Sequence, residues 1–70
     1  MEIMAYRVGD LDNPQEDDPR IVRYDEAEVL AQERSRYRDC AQGVWDLSDQ
    51  DENGVFYTAA IAYRGDLYYA

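Results

Sequence analysis

Apolar and polar positions along this chain change their spacing several times, and each change marks an element. Ile3 to Val8 is a short apolar run with two β-branched residues and a tyrosine, which predicts a first strand ended by Gly9. From Asp10 the pattern is lost: up to Pro19 there are five acids, no base and two prolines. Proline removes main-chain donors and like charges repel, so residues 9–19 are expected to form an acidic, proline-containing loop. Ile21-Val22 reads as a short extended piece leading into a helix.

Ala27, Leu30, Ala31, Tyr37, Cys40 and Ala41 then recur at helical spacing, interrupted by Arg34. They predict one helix from about Glu26 to Ala41 that packs a single stripe on a sheet. Asp25 fits the N-cap, and Glu28, three residues on, fits the acid that reaches back in a capping box. Gly43 suits the left-handed position after a helix. Arg34, Arg36 and Arg38 fall in the second half, where the helix dipole favours cations. Beyond Gly43 the period drops to two, with Trp45 and Leu47 on one face and Asp46 on the other. Asp49 to Gly54 is a polar connection, and Val55 to Tyr63, free of charge, is the strongest strand. Arg64-Gly65-Asp66 is a tight turn, and Leu67 to Ala70 a last strand. The pattern as a whole predicts an α+β protein in β-α-β-β-β order, an antiparallel sheet with one helix on one face. Seventy residues without internal repeat or linker imply one domain, residues 1–70.

Composition narrows the chemistry. A hydrophobic fraction of 46% is too high for a wholly disordered chain, although the core must be small. With no histidine and no lysine, the chain lacks a histidine base, a histidine metal site, a Schiff-base amine and a phosphate-loop lysine. Two serines and one threonine leave few hydroxyl nucleophiles. A binding protein is expected rather than an enzyme, with no cofactor. A lone cysteine, Cys40, cannot make an internal disulfide, which points to a reducing cytoplasm. The stretch Met1 to Arg7 has an acid near its front and only a brief apolar run, so neither a signal peptide nor a membrane span is expected.

Three short motifs admit a chemical reading. Asp49-Gln50-Asp51-Glu52-Asn53-Gly54 matches the first half of a calcium-binding EF-hand loop, but the glutamate required at the twelfth position is Ala60. The favoured reading is a hairpin in which Asn53-Gly54 supplies positive φ angles, with no metal. Arg64-Gly65-Asp66 spells an adhesion tripeptide, yet glycine and aspartate are also what a turn between two strands needs. Cys40 reads as a small buried residue rather than a reactive thiol, because a helix C-terminus disfavours a thiolate.

The charge distribution is more informative. The chain carries 16 acids against seven arginines, a net charge of −9. Twelve of the acids fall in three segments that contain no arginine: Asp10, Asp12, Glu16, Asp17 and Asp18; then Asp25, Glu26 and Glu28; then Asp46, Asp49, Asp51 and Glu52. If the two acidic loops share one end of the sheet, they merge into a single patch. Such acids either keep the protein in solution or imitate the phosphates of duplex DNA, which present a charge every ~1.7 Å along the axis. Seven tyrosines, Tyr6, Tyr24, Tyr37, Tyr57, Tyr63, Tyr68 and Tyr69, exceed what so small a core hides, and tyrosine favours interfaces. Acid with exposed aromatic side chains points to a basic protein partner. The same charge argues against direct binding to nucleic acid.

In size, acidity and element order the chain resembles small phage-encoded inhibitors of bacterial defence, in particular acidic anti-CRISPR proteins of the DNA-mimic type. The residues that carry the resemblance are Asp10 to Asp18, Asp25-Glu26-Ala27-Glu28 and Asp46 to Glu52. It implies a non-enzymatic protein of the bacterial host cytoplasm that blocks recognition of target DNA, or of its short recognition element, by a CRISPR surveillance complex. Three alternatives stand beside it: an antitoxin or immunity protein against another basic partner, a calcium-responsive module, and a structural protein. The protein is expected to be a monomer or a weak homodimer through its tyrosine-rich last strands.

Overall fold

The computed structural model describes residues 5–69. It contains strands β1 (Tyr6–Asp10) and β2 (Arg20–Ile21), helix α1 (Tyr24–Tyr37), and strands β3 (Gln42–Gln50), β4 (Phe56–Tyr63) and β5 (Asp66–Tyr69). The strands form one sheet in the order β2-β1-β3-β4-β5, antiparallel throughout. This is the expected α+β architecture with one addition: the extended piece before the helix is a fifth strand at the sheet edge. Ile3, Met4 and Ala70, assigned above to the first and last strands, lie outside the described residues.

The pleat sorts side chains into two faces. Toward the helix point Tyr6 and Val8 of β1, Val44 of β3, and Ala60 and Ala62 of β4, which meet Ala27 and Ala31 of α1 in the core. Four of these seven residues are alanines, so the helix backbone can approach the sheet closely. Tyr24 closes one end, its ring edge-on to that of Tyr6 with centroids 5.1 Å apart. On the opposite face, uncovered by any helix, the register aligns one row of Arg20, Arg7, Trp45 and Thr58 and a second of Gly9, Gly43, Ile61 and Tyr68. Ala59 is an extra residue between Thr58, opposite Trp45, and Ala60, opposite Val44. This β-bulge puts Thr58 and Phe56 in phase with Trp45 on the uncovered face.

Several local expectations are corrected. The helix spans Tyr24–Tyr37, not Glu26 to Ala41. Arg38 is already extended (φ −107°, ψ 143°), because the chain must drop from the helix layer to Gln42, the partner of Asp10 in the sheet. Layers lie about 10 Å apart, a distance that extended residues at about 3.3 Å each cover and helical ones at 1.5 Å do not. Gly43 is therefore no helix cap but a strand residue. A Cβ there would lie 2.7 Å from Trp45 Cζ2 and 3.1 Å from Leu11 Cδ1, so the indole lies directly over it. The N-cap is Arg23 and makes no side-chain capping bond. Asp25 sits inside the first turn, and Glu28 reaches Tyr69 instead of the cap.

The buried helix stripe is Ala27, Ala31 and Ser35, whereas Tyr37 is 88% exposed and Cys40 and Ala41 lie past the helix end. Arg34, which interrupts the apolar spacing, has a structural reason. Val8 N–H donates to Pro19 O at 3.1 Å. Pro19 has no N–H to return, and the Arg34 guanidinium donates to the Val8 carbonyl at 3.1 Å in its place.

The connections also differ in detail. β1 runs through Gly9 to Asp10, and β3 extends to Gln50. In the β3–β4 hairpin only Gly54 has positive φ (79°), and Asn53 does not. The β4–β5 turn has positive φ at both Arg64 (50°) and Gly65 (86°), the two-residue geometry that follows the sheet twist. That turn is docked on the helix: Gly65 N–H donates to Ser35 Oγ at 2.8 Å, and Gln32 donates to Gly65 O at 3.0 Å.

Candidate functional site

The strand order decides how the acidic segments meet. β1 ends beside the start of β3, so residues 11–19 are rooted at one end of the sheet, and the β3–β4 hairpin turns at the other. The single patch pictured from the sequence is not built from adjacent roots. The first loop instead crosses the uncovered face, where Leu11 and Trp45 both pack against Gly43. Pro14 then shares a cleft with Gly54, Val55 and Phe56 of the hairpin.

The loop is tied down along its length. Leu11 N–H donates to Ala41 O at 2.8 Å, Asn13 N–H to Asp10 O at 3.2 Å and Asp18 N–H to Gln15 O at 3.2 Å. Asp18 accepts the Gln15 N–H at 2.9 Å, and its carboxylate fills the space a side chain on Gly9 would need.

The twelve acids divide into two groups by what their carboxylates touch. Asp10 accepts from Arg38 at 2.9 Å and from the fully buried Gln42 at 2.8 Å. These two hydrogen bonds, that from Gln42 the stronger, hold its pKa at about 2. Asp25 is paired with Arg23 at 2.9 Å, which lowers its pKa. Glu28 accepts the Tyr69 hydroxyl at 2.6 Å, and that bond raises the tyrosine pKa. Asp18, Asp46 and Asp51 accept main-chain amides, Asp46 from Ser48 at 2.9 Å and Asp51 from Asn53 at 2.8 Å and Val55 at 3.0 Å. Asp12, Glu16, Asp17, Glu26, Asp49 and Glu52 are exposed, and their side chains make no hydrogen bond or ion pair among the described residues.

This division alters the value of each charge. Arg38 and Arg23 offset Asp10 and Asp25 within the fold. An amide donor leaves the carboxylate charge intact and fixes its position. The strongest group of fixed and free acids together is therefore Asp46, Asp49, Asp51 and Glu52 on one hairpin. Asp25, Glu26 and Glu28 lie toward the same end, on the helix side.

One feature was missed from sequence. Arg36, Arg38 and Arg64 gather with Ser35, Asp39 and Tyr63 around a hollow of about 380 Å³ at the opposite end of the molecule, and Arg64 lies 5.2 Å from the Tyr63 ring centroid. Arg34 and Arg38 also face Asp17 and Asp18 of the first acidic loop across a second hollow, so this end of the molecule carries both signs of charge. Cys40 is half-buried beside this network, and burial, followed by the Asp10 carboxylate, raises its pKa and keeps it a thiol. Comparison with protein families, curated proteins and solved structures finds no match. No helix among the described residues is long and apolar enough to cross a membrane. Of the tyrosines, Tyr6 is buried and Tyr24 half-buried, whereas Tyr37, Tyr57, Tyr63, Tyr68 and Tyr69 are exposed.

Proposed function

We propose that this protein is a non-catalytic inhibitor that occupies the cationic nucleic-acid groove of a basic protein or complex, its carboxylates standing in for phosphates. The observation that carries the reading is the β3–β4 hairpin. Asp46 and Asp51 are held by main-chain amides, Asp49 and Glu52 are exposed beside them, and among the described residues no arginine forms an ion pair with residues 46–52. Acids held by the backbone lose little side-chain freedom on binding, so they suit a rigid groove. The most specific form of the proposal is an anti-CRISPR protein that excludes target DNA from a CRISPR surveillance complex; an antitoxin or immunity protein would use the same surface on another basic partner.

A plasmid-interference assay in bacteria with defined CRISPR systems tests the specific form, and duplex-competed capture on the purified protein tests the general one. Asp49→Arg with Glu52→Arg should abolish inhibition and duplex-displaceable capture while leaving the fold intact, because neither side chain makes a hydrogen bond among the described residues. Retained inhibition by that variant, with an unchanged melting temperature, refutes the mimic.

A second reading, a weak homodimer, is supported by β5. It is a sheet edge whose Tyr68 and Tyr69 are exposed, and such an edge can pair with a second copy. Sedimentation at rising concentration distinguishes it from a monomer.

A further inference from the structure

The uncovered face of the sheet also holds a cleft whose chemistry is not acidic. Arg7, Pro14, Trp45, Gly54, Val55 and Phe56 line a hollow of about 170 Å³. Most of its wall is apolar, and Val55 at its lip is 60% exposed. The Arg7 Nε is buried and has no acceptor among the described residues. An unpaired buried donor is costly, and folded proteins keep few of them. Arg7 lines the cleft, so an oxygen acceptor carried in beside an apolar group would meet its guanidinium there.

We propose that this cleft is the anchor pocket for one apolar side chain of a basic protein partner, with the partner's adjacent main-chain carbonyl accepting from the Arg7 guanidinium at the cleft wall. Size supports a single side chain: the hollow equals the liquid volume of about six waters and is below the roughly 300 Å³ at which small-molecule sites begin. Charge selects the kind of partner. Val55 of the wall donates its N–H to the Asp51 carboxylate at 3.0 Å, and Pro14 and Gly54 belong to the segments that carry Asp12, Glu16 and Glu52, so acidic segments flank the apolar centre. An apolar centre with an arginine and a tryptophan, inside a polar rim, has the anatomy of an interface hot spot. A nucleobase would offer a similar plane and carbonyls, but the rim repels its phosphates. The inference rests on the basic-partner reading above and adds the place where that partner is anchored.

Two peptides test it, acetyl-Arg-Arg-Leu-Arg-Arg-amide and the same peptide with glycine for leucine, titrated into isotopically labelled protein. The signals read are the Trp45 indole and the Arg7 Nε–H. The leucine peptide should bind at least about tenfold tighter and move both signals, as burial of an aliphatic side chain requires. Arg7→Lys keeps the charge and removes the guanidinium, and should shrink that advantage to about twofold while leaving the glycine peptide unchanged. Val55→Gln, at an exposed position that does not threaten folding, should shrink it too. Equal binding of the two peptides overturns the anchor pocket and leaves the basic-partner reading standing. No binding of either at millimolar concentration overturns both. An eight-nucleotide thymidine oligomer that moves both signals overturns the protein partner in favour of nucleic acid.

Discussion

Replacing Asp10 with alanine should destabilise the fold without weakening the acidic surface, although Asp10 opens the longest acidic run. Its carboxylate is 28% exposed and joins three segments: its own strand, Arg38 just past the helix, and Gln42 at the start of β3. The folded state holds its pKa at about 2 against an ordinary 3.8. At ~1.4 kcal/mol per unit this shift corresponds to roughly 2–3 kcal/mol, reduced by solvent screening of the half-exposed Arg38 to about 1–2 kcal/mol. Removal of the acceptor also strips the buried Gln42 amide of its shortest hydrogen bond, so the total loss at pH 7 should be about 2 kcal/mol, or roughly 10 °C in melting temperature for a chain of this length.

The sign of the pH dependence follows from the lowered pKa. As pH falls, the unfolded chain takes up the proton first, so the contribution is complete above pH 4 and is lost as pH falls toward 2. Urea unfolding of wild type and Asp10→Ala at pH 7 and pH 2.5 measures this directly. The gap should be about 2 kcal/mol at pH 7 and should narrow sharply at pH 2.5. An equal gap at both values, or a loss below about 0.5 kcal/mol at pH 7, would show that the carboxylate does not hold these segments together. Capture of a basic partner by the variant should match wild type, since Arg38 already offsets this charge.

Two other substitutions probe the frame under the acidic loops. Gly43→Ala places a Cβ within 3 Å of the indole, which cannot swing aside as a flexible chain end can; the cost should be about 1–3 kcal/mol, with a shift in the emission of Trp45, the sole tryptophan. Unchanged emission and stability would contradict the indole's position over the β1–β3 pair. Arg34→Ala leaves the buried Val8 carbonyl without its donor and should cost about 1–2 kcal/mol by denaturant unfolding. Adding Pro19→Ala to that variant restores an N–H opposite Val8 and should recover much of the loss; no recovery would show that Arg34 acts in another way.

Much of the fold was legible because local spacing reports local geometry. The apolar run ending at Val8, the alternation at Val44–Leu47, the charge-free run Val55–Tyr63, the helical repeat of Ala27 and Ala31, and the turn at Arg64-Gly65 each declare themselves within a few residues. The exposure of most tyrosines was legible too, since a chain of this length has little interior to hide them. Helix ends were less so. Asp25 and Glu28 have the spacing of a capping box, yet the helix starts at Tyr24, so Asp25 accepts instead from the neighbouring Arg23 and from the Glu26 N–H, and Glu28 accepts the Tyr69 hydroxyl of β5.

What the sequence alone determines is the class of surface: a net charge of −9 concentrated in segments without arginine, on one helix and an antiparallel sheet. What only the tertiary structure decides is which of those charges are free. Strand order sets the roots of the two acidic loops at opposite ends of the sheet, and long-range contacts assign Asp10 and Glu28 to the frame and leave Asp49 and Glu52 in water. Electrostatic energy depends on distance through space, and chain order does not contain that distance until the strands have paired.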